Sequence, residues 1–332
     1  MTFNSQDVER KILSILKILA ELGRPAGSRV IADRMKSHGL TLSERAIRYH
    51  LKIMDEAGLT ELVGKRDGRI ITEKGRNEVR NALVRDKVGY SITKIELLSY
   101  RTNFNYKEKS GDVPVNVSFF RIADFPKALK HMKAAFEKGY CVSNLVAVAE
   151  SGKSIGDVIV PQDYMGFGTV CSIIINGSLL KAGVPIDSRF GGVLEINNHK
   201  PVRFTEIIHY NGCSLDPSEM FIKAKMTSVR QAVSTGYGKI LANFREVPAI
   251  CLPVVDEVLQ GLQKAGMDGV LVKGNVSEDV CEIPVEPNKV GMILVGGLNP
   301  VTAAVETGIE AENQSMSTVV KYSSLVPFKD LL

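Results

Sequence analysis

Residues 41 to 58, Thr41-Leu-Ser-Glu-Arg-Ala-Ile-Arg-Tyr-His-Leu-Lys-Ile-Met-Asp-Glu-Ala-Gly58, read as a helix with an apolar back and a basic front. Ile47, Leu51 and Met54 stand at i, i+4 and i+7, the spacing that one face of a 3.6-residue period requires. Arg45, Arg48, Tyr49 and Lys52 form the front. Thr41 with Glu44 fits a capping box, and Gly58 supplies the stop. Upstream, Gln6 to Leu22 and Ser28 to His38 give two further amphipathic helices, with a tight turn at Gly39-Leu40 before the basic one. Downstream, Leu59 to Val63 and Arg69 to Thr72 read as strands closed by Gly64-Lys65-Arg66-Asp67-Gly68, whose Asp-Gly is a hairpin signal. Three helices and a basic hairpin make a winged helix-turn-helix.

In that fold the second helix of the pair enters the major groove, where an Arg makes a bidentate contact to guanine and Tyr49 reaches a thymine methyl or a phosphate. Lys65, Arg66 and Arg69 on the wing then grip the flanking backbone. A charge run alone usually just solvates a helix face, but here pattern, placement and wing agree. His50, beside the apolar stripe, reads as a core residue. Residues 1 to 85 hold 17 Lys and Arg against 11 Asp and Glu, leaving 25 against 26 for the remainder. The excess positive charge is confined to the DNA-reading region, and the near-neutral rest suits a small molecule or a protein partner.

A chain of 332 residues, 44% hydrophobic and 24% charged, is ordinary for a folded protein and too long for one core. Its start lacks a basic and apolar leader and no window has the apolar length of a membrane span, so a cytoplasmic protein with no membrane partner is expected. The five cysteines are widely spread with no Cys-x-x-Cys pair, which argues against a disulfide framework or a zinc site.

The expected fold class is α+β: a winged helix-turn-helix over 1–85, then a mixed α/β effector and oligomerisation domain over 86–332. Asn77 to Lys87 reads as a helical connector and Ile92 to Tyr100 as the next regular element. Val113 to Phe120 (strand), Pro126 to Lys138 (helix), Leu145 to Ala149 (strand) and Thr169 to Ile175 (strand, leading into Ser178 to Ala182) then recur as Val247 to Pro253, Val255 to Ala265, Gly269 to Lys273 and Val290 to Val295, leading into Val301 to Thr307. Landmarks keep a near-constant separation: Pro126 with Pro253, Gly139 with Gly266, Gly166 with Gly291, Asn176 with Asn299. This predicts an internal duplication, halves about 113–187 and 245–312, around an insert 188–238 with strands at Val193 to Ile196 and Val202 to Tyr210 and one helix from Pro217 to about Val233.

Catalytic motifs are absent from this half: no Ser-His-Asp or Cys-His spacing, no His-Glu-x-x-His, no Walker A. Gly166-Phe167-Gly168 is only a fragment of a dinucleotide loop. Arg189 beside Gly191 and Gly192 offers a guanidinium and backbone amides for a carboxylate; the alternative is that Arg189 pairs with Asp187 or Glu195. Thr169, Ser172 and Asn176 form a polar lip where a strand passes into a helix, a usual ligand position, with Gly296, Gly297 and Asn299 as its counterpart in the second half. Ser228 and Arg230 read as a solvated helix face.

The front unit resembles the winged domain named after ribonuclease R. Gly168-Thr-Val-Cys-Ser-Ile-Ile-Ile-Asn-Gly177, Lys181-Ala-Gly-Val-Pro185, Ser188-Arg-Phe-Gly-Gly192 and Lys225-Met-Thr-Ser-Val229 resemble the signature of the archaeal nitrogen repressor family, NrpR, and the likeness covers essentially the whole chain. The resemblance implies a repressor of nitrogen-assimilation genes, not an enzyme, that binds an inverted-repeat operator on double-stranded DNA as a homo-oligomer, dimer or tetramer. It implies release by 2-oxoglutarate, an effector and not a cofactor, and a co-repressor chain of the same family as a further partner. A dicarboxylate would then sit on Arg189, Gly191 and Gly192, between the duplicated halves or at a dimer face, and change the spacing of two recognition helices. Two other readings compete: an enzyme of small acids with an appended DNA-binding domain, and a non-specific architectural DNA binder.

Overall fold

The computed structural model describes residues 5–37, 40–64, 67–80 and 89–332, and the chain divides into two units, Met1–Val88 and Gly89–Leu332. In the first unit, α1 (Ser5–Leu22), α2 (Ser28–Ser37) and α3 (Glu44–Glu56) surround a core of Ile15, Leu16, Leu19, Ile31, Met35, Ile47, Leu51 and Met54. Val30 on α2 is exposed. Ser43, not Thr41, caps α3: its Oγ accepts the Ala46 amide at 3.2 Å, so the capping residue stands three before the amide it serves. His50 is buried beside the apolar stripe.

The antiparallel wing strands β1 (Thr60–Gly64) and β2 (Gly68–Ile71) follow, Leu62 facing Arg69. An isolated antiparallel bridge joins Ala26 to Arg69 of β2. Gly68, at φ 91°, lies so close to the Ala26 carbonyl that a Cβ would stand 2.2 Å from its oxygen, so only glycine fits. α4 (Glu73–Arg80) closes the unit; the remainder of the expected connector lies outside the described residues.

After α5 (Tyr90–Arg101) the second unit runs β3 (Asp112–Arg121), α6 (Phe125–Glu137), β4 (Leu145–Ala149), a small hairpin β5 (Ser154–Ile155) and β6 (Val158–Ile159), β7 (Tyr164–Val170), α7 (Ile173–Lys181) and β8 (Asp187–Asn197). An insert supplies β9 (Lys200–His209), α8 (Pro217–Lys223) and α9 (Val229–Thr235). The series then repeats as β10 (Gly238–Pro248), α10 (Leu252–Lys264), β11 (Val270–Val276), β12 (Lys289–Val295), α11 (Asn299–Val305) and β13 (Glu312–Lys321), before β14 (Val326–Pro327). Adding 127 to the bounds of α6 gives those of α10, and adding 125 to β7 gives β12. Pro126 and Pro253 enter the first turns of matching helices, and Gly139 and Gly266 follow their ends at φ 73° and 81°.

Each half is a β-α-β-β-α-β unit, and the sheets exchange a strand. One sheet has the order β13-β3-β7-β4-β14, the other β11-β12-β10-β8-β9, with every pairing antiparallel. Numbered within a half, the first four strands of the first sheet read 4-1-3-2, the ferredoxin-like order, with strand 4 coming from the other half. β8 does the same in the second sheet. The cores mix accordingly: Val113, Val115 and Val117 of β3 pack with Ile174 and Leu179 of α7, Val258 and Leu262 of α10, and Met292 of β12.

Four expectations change. Ile173 to Ile175 are helical, because burial on all sides overrides the strand preference of β-branched residues. The strand expected over Val247 to Pro253 is the end of β10, and helix begins at Leu252. The insert helix breaks into α8 and α9 at Lys225, φ 54°, where Ser228 bonds β10 through Lys239. Asn176 and Asn299 are not equivalent: the offset of 125 around them pairs Asn176 with Val301 and Asn299 with Ile174.

Candidate functional site

Two regions carry the chemistry. On α3, Arg45, Arg48, Tyr49 and Lys52 are all exposed on one side, opposite buried Ile47, Leu51 and Met54. Arg48 and Lys52 pair with Glu44 at 3.5 Å and Glu56 at 3.9 Å, one helical turn away, pairs weak enough to yield to a phosphate or base edge. Arg69 differs from its expected role. Its Nε donates to Asp55 Oδ2 at 2.6 Å, locking the wing to the end of α3. Lys65 and Arg66 lie outside the described residues.

In the second unit the exits of β7 and β12 converge on one small cavity of about 20 Å³, enough for about one water. Cys171 and Ser172 line it from one half, Gly296 and Gly297 from the other, and these are matching positions, 125 residues apart. Asn116 and Asn243 also line it and also match: Asn116 faces Thr169 in β7, Asn243 faces Leu294 in β12. The cavity therefore sits where the two repeats are related to each other. A Cβ on Gly297 would stand 2.5 Å from the Val170 carbonyl oxygen and 2.6 Å from Asn116 Nδ2, so the exits touch directly.

One residue breaks this symmetry. Arg245, 1% exposed, lines the cavity, whereas its match on β3 is Ser118. Its Nε donates to Asn176 Oδ1 at 3.4 Å, its Nη1 to the Phe244 carbonyl at 3.3 Å, and its guanidinium lies 5.0 Å from the centre of the Tyr210 ring. Among the described residues no carboxylate pairs with it. A buried guanidinium that is not directly paired costs several kcal/mol, which an incoming anion can partly recover; the carboxylate that shares the cavity, Asp216, is engaged with the Ser218 and Glu219 amides. Around Arg245, Asn243 donates to Ser172 Oγ at 3.3 Å and accepts from the Tyr210 hydroxyl, Asn176 donates to Ser188 Oγ at 2.9 Å, and the Ser315 hydroxyl on the cavity wall has no hydrogen-bond partner among the described residues. Burial pushes the Cys171 thiol up to about 12 and raises Tyr210 as well, so both stay protonated.

The lip expected from sequence is thus partly assembled here: Ser172 lines the cavity, Asn176 holds Arg245, and Thr169 stands one step behind, accepting from Asn116 at 3.4 Å. Arg189, Gly191 and Gly192 are placed otherwise. Arg189 bonds Glu246 Oε2 at 3.2 Å, Asp187 Oδ2 at 3.4 Å and Glu286, so three carboxylates already surround it. Gly191 and Gly192 lie inside β8, paired with β9 on one side and β10 on the other, which commits their backbone to the sheet. Gly191 keeps one link to the cavity, since a Cβ there would come 3.0 Å from the Tyr210 hydroxyl oxygen.

Sequence reasoning missed Arg245, Asn116, Asn243 and Tyr210. A signal existed, since Asn116 and Asn243 share the 127-residue offset of Pro126 and Pro253. A wider open groove of about 1780 Å³ lies between α6, α9 and α11. Its charges are mixed, and Glu306 there is spent on the Val229 and Arg230 amides.

Comparison with known proteins finds likenesses to both units of the chain. Residues 88–327 match the family described as NrpR regulatory domains NRD1 and 2, and residues 13–79 match the ribonuclease R winged-helix domain. The global nitrogen regulator NrpRI of Methanosarcina mazei is 38% identical over 96% of this chain and 98% of its own length. The regulator NrpR of Methanocaldococcus jannaschii is 32% identical over 97% of this chain, which spans 56% of that longer protein. The crystal structure of a nitrogen repressor-like protein from Methanococcus jannaschii superposes with a TM-score of 0.61 at 28% identity, covering 72% of this chain and 98% of the other. With a winged reader at its front and the regulatory domains over most of its length, the chain belongs to the NrpR family of nitrogen regulators.

Proposed function

We propose that this chain represses nitrogen-assimilation genes by binding an inverted-repeat operator through α3 and the wing, and that it leaves the operator when 2-oxoglutarate enters the Arg245 cavity. The observation that carries the effector half is the buried guanidinium of Arg245 at the junction of the repeats, which forms no ion pair among the described residues although Asp216 lines the same cavity. One ligand carboxylate would take Arg245 in a bidentate contact, and Ser172, Asn243 and the backbone at Gly297 offer polar groups for the remainder. The regulators of known name support the nitrogen signal. The chain acts as a homo-oligomer, dimer or tetramer, because an inverted repeat needs two readers, and a co-repressor chain of the same family supplies what the longer relatives carry beyond the match.

A cavity of about 20 Å³ cannot take a dicarboxylate as it stands. The ligand must prefer a more open conformation, since only differential affinity shifts an equilibrium. Calorimetric titration with 2-oxoglutarate, alone and against a duplex selected from random DNA by the wild-type chain, tests this. Binding that is weakened by the duplex is expected; no binding, or binding indifferent to the duplex, ends the effector reading.

A further inference from the structure

The cavity has a fixed side and a closing side. Asn116, Ser172, Asn243 and Arg245 lie on or just beyond central strands bonded to neighbours on both sides. The closing side consists of Tyr210, Asp216 and Ser218 from the insert, which has no counterpart in the repeat, and Ser315 and Met316 on edge strand β13. At that point the pairing of β13 with β3 is interrupted between Gln314 and Thr318, and Met316 has φ 50°.

α5 lies behind this closing side and ties its two parts together. The Ser91 amide donates to the Cys213 carbonyl at 3.1 Å and its hydroxyl to the Leu215 carbonyl at 2.8 Å, which holds the segment between Tyr210 and Asp216. One turn on, Lys94 Nζ donates to the Ser315 carbonyl at 3.2 Å, which holds the interrupted stretch of β13. Ile95 and Leu98 then pack with Cys171, Ile173, Tyr210 and Met316, all residues of the cavity wall. α5 is also the first element described after the DNA-reading unit, which ends at Val88.

We infer that α5 is the gate of the Arg245 cavity and the element that carries its occupancy to the DNA-reading unit, an inference that rests on the cavity being the effector site. A ligand larger than a water must part the closing side from the central strands, and that motion breaks the bonds of Ser91 and Lys94. The operator-binding form is the one with α5 docked. The same free energy therefore couples ligand and DNA, and loosening α5 must raise affinity for one as it lowers affinity for the other.

The full chain carrying Ser91→Ala and Lys94→Ala tests this with 2-oxoglutarate and the selected duplex. It loses two hydrogen bonds of the docked form, so it should bind 2-oxoglutarate about tenfold more tightly and the duplex, without ligand, about tenfold more weakly. Tighter ligand binding with unchanged duplex affinity would overturn the inference, leaving α5 as a wall of the cavity only. If the unaltered chain binds no 2-oxoglutarate, the proposed effector fails, while the ligand-free duplex affinity of the variant still decides the role of α5. Should the variant lose its cooperative melt, amide exchange in the unaltered chain decides. Saturating 2-oxoglutarate should speed exchange over 90–101 and 210–216 and leave 125–137 unchanged, and equal exchange with and without ligand in the first two segments contradicts the gate.

Discussion

The first repeat, β3 to β8, and the second, β10 to β13, share the order β-α-β-β-α-β apart from the β5–β6 hairpin of the first, yet only the second contributes a charged residue to the cavity at their junction. Arg245 on β10 matches Ser118 on β3, and the glycines Gly296 and Gly297 on the second exit match Cys171 and Ser172 on the first. Duplication built a cavity of matching walls, and divergence made the walls unlike: one half gave the cation and the close backbone, the other the hydroxyl. The insert, present once, covers the result. Strand exchange is what makes such a shared site durable, because neither sheet is complete without the other half.

The largest expected effect tests that exchange. Chains of 89–236 and 237–332, expressed separately, should each fail to melt cooperatively, since each lacks a strand of its own 4-1-3-2 sheet and exposes a long unpaired edge. Mixed during refolding they should form a one-to-one complex with a single transition. A cooperative melt of either piece alone would show that the exchanged strands are dispensable.

Next in size is the charge that separates the repeats. Arg245→Met should weaken 2-oxoglutarate by about 2 to 5 kcal/mol, which is a loss of thirtyfold or more, as expected for removing one partner of a buried charged contact. The ligand-free protein should lose little stability or gain some, because an unpaired buried charge is replaced by a chain of similar length. Ser118→Ala at the matching position should leave ligand binding unchanged. Calorimetry on the two variants decides, and equal binding by both would remove Arg245 from the site.

The winged unit was legible in sequence because its information is local: a 3.6-residue period, a hairpin turn and cations on one helix face. The repeat was legible because prolines and glycines mark helix entries and exits at fixed separations. The exchange was not, since which sheet a fourth strand joins is a long-range choice that no neighbour in sequence records. Arg245 was hidden by its own neighbour. Glu246 follows it directly, but successive strand residues face opposite sides, so Glu246 pairs with Arg189 and Lys289 while Arg245 faces the cavity. Arg189, more conspicuous beside its glycines, is half-buried among three carboxylates.

A smaller effect comes from the matched pair at the exits. Gly297→Ala forces a Cβ to within 2.5 Å of the Val170 carbonyl oxygen, and the neighbour is backbone that cannot step aside. Urea unfolding should show a loss of about 1 to 3 kcal/mol, the usual cost of overpacking. Ser172→Ala, at the equivalent position of the first repeat, loses one long hydrogen bond from Asn243 and should cost about 1 kcal/mol or less. Equal losses would mean the two exits are packed alike.

The smallest expected effect separates the sheets by pH. At the end of β10 the Lys289 ammonium, and then the Arg189 guanidinium, hold the exposed Glu286 carboxyl down from 4.5 to about 2. The matches of Glu246, Lys289 and Arg189 in the other sheet are Phe119, Tyr164 and Gln314, so that cluster exists once. At the edge of the other sheet stands Glu219, whose burial raises its carboxyl and whose Oε1 accepts the Ser315 amide at 2.7 Å. The two carboxyls act with opposite sign. A depressed carboxyl contributes stability above its unfolded value of 4.5, and that contribution is lost as pH falls from there toward 2. A raised carboxyl binds its proton more readily in the folded state, so its contribution grows as pH falls toward 4.5. Between pH 5 and 3, amide exchange should therefore quicken first around 286–290 of the second sheet and not at Ser315 of the first. Glu286→Gln should remove the acid sensitivity of the first of these segments only. Parallel loosening of both would mean that acid acts on the fold as a whole and that the two sheets, which differ so clearly at the cavity, do not differ here.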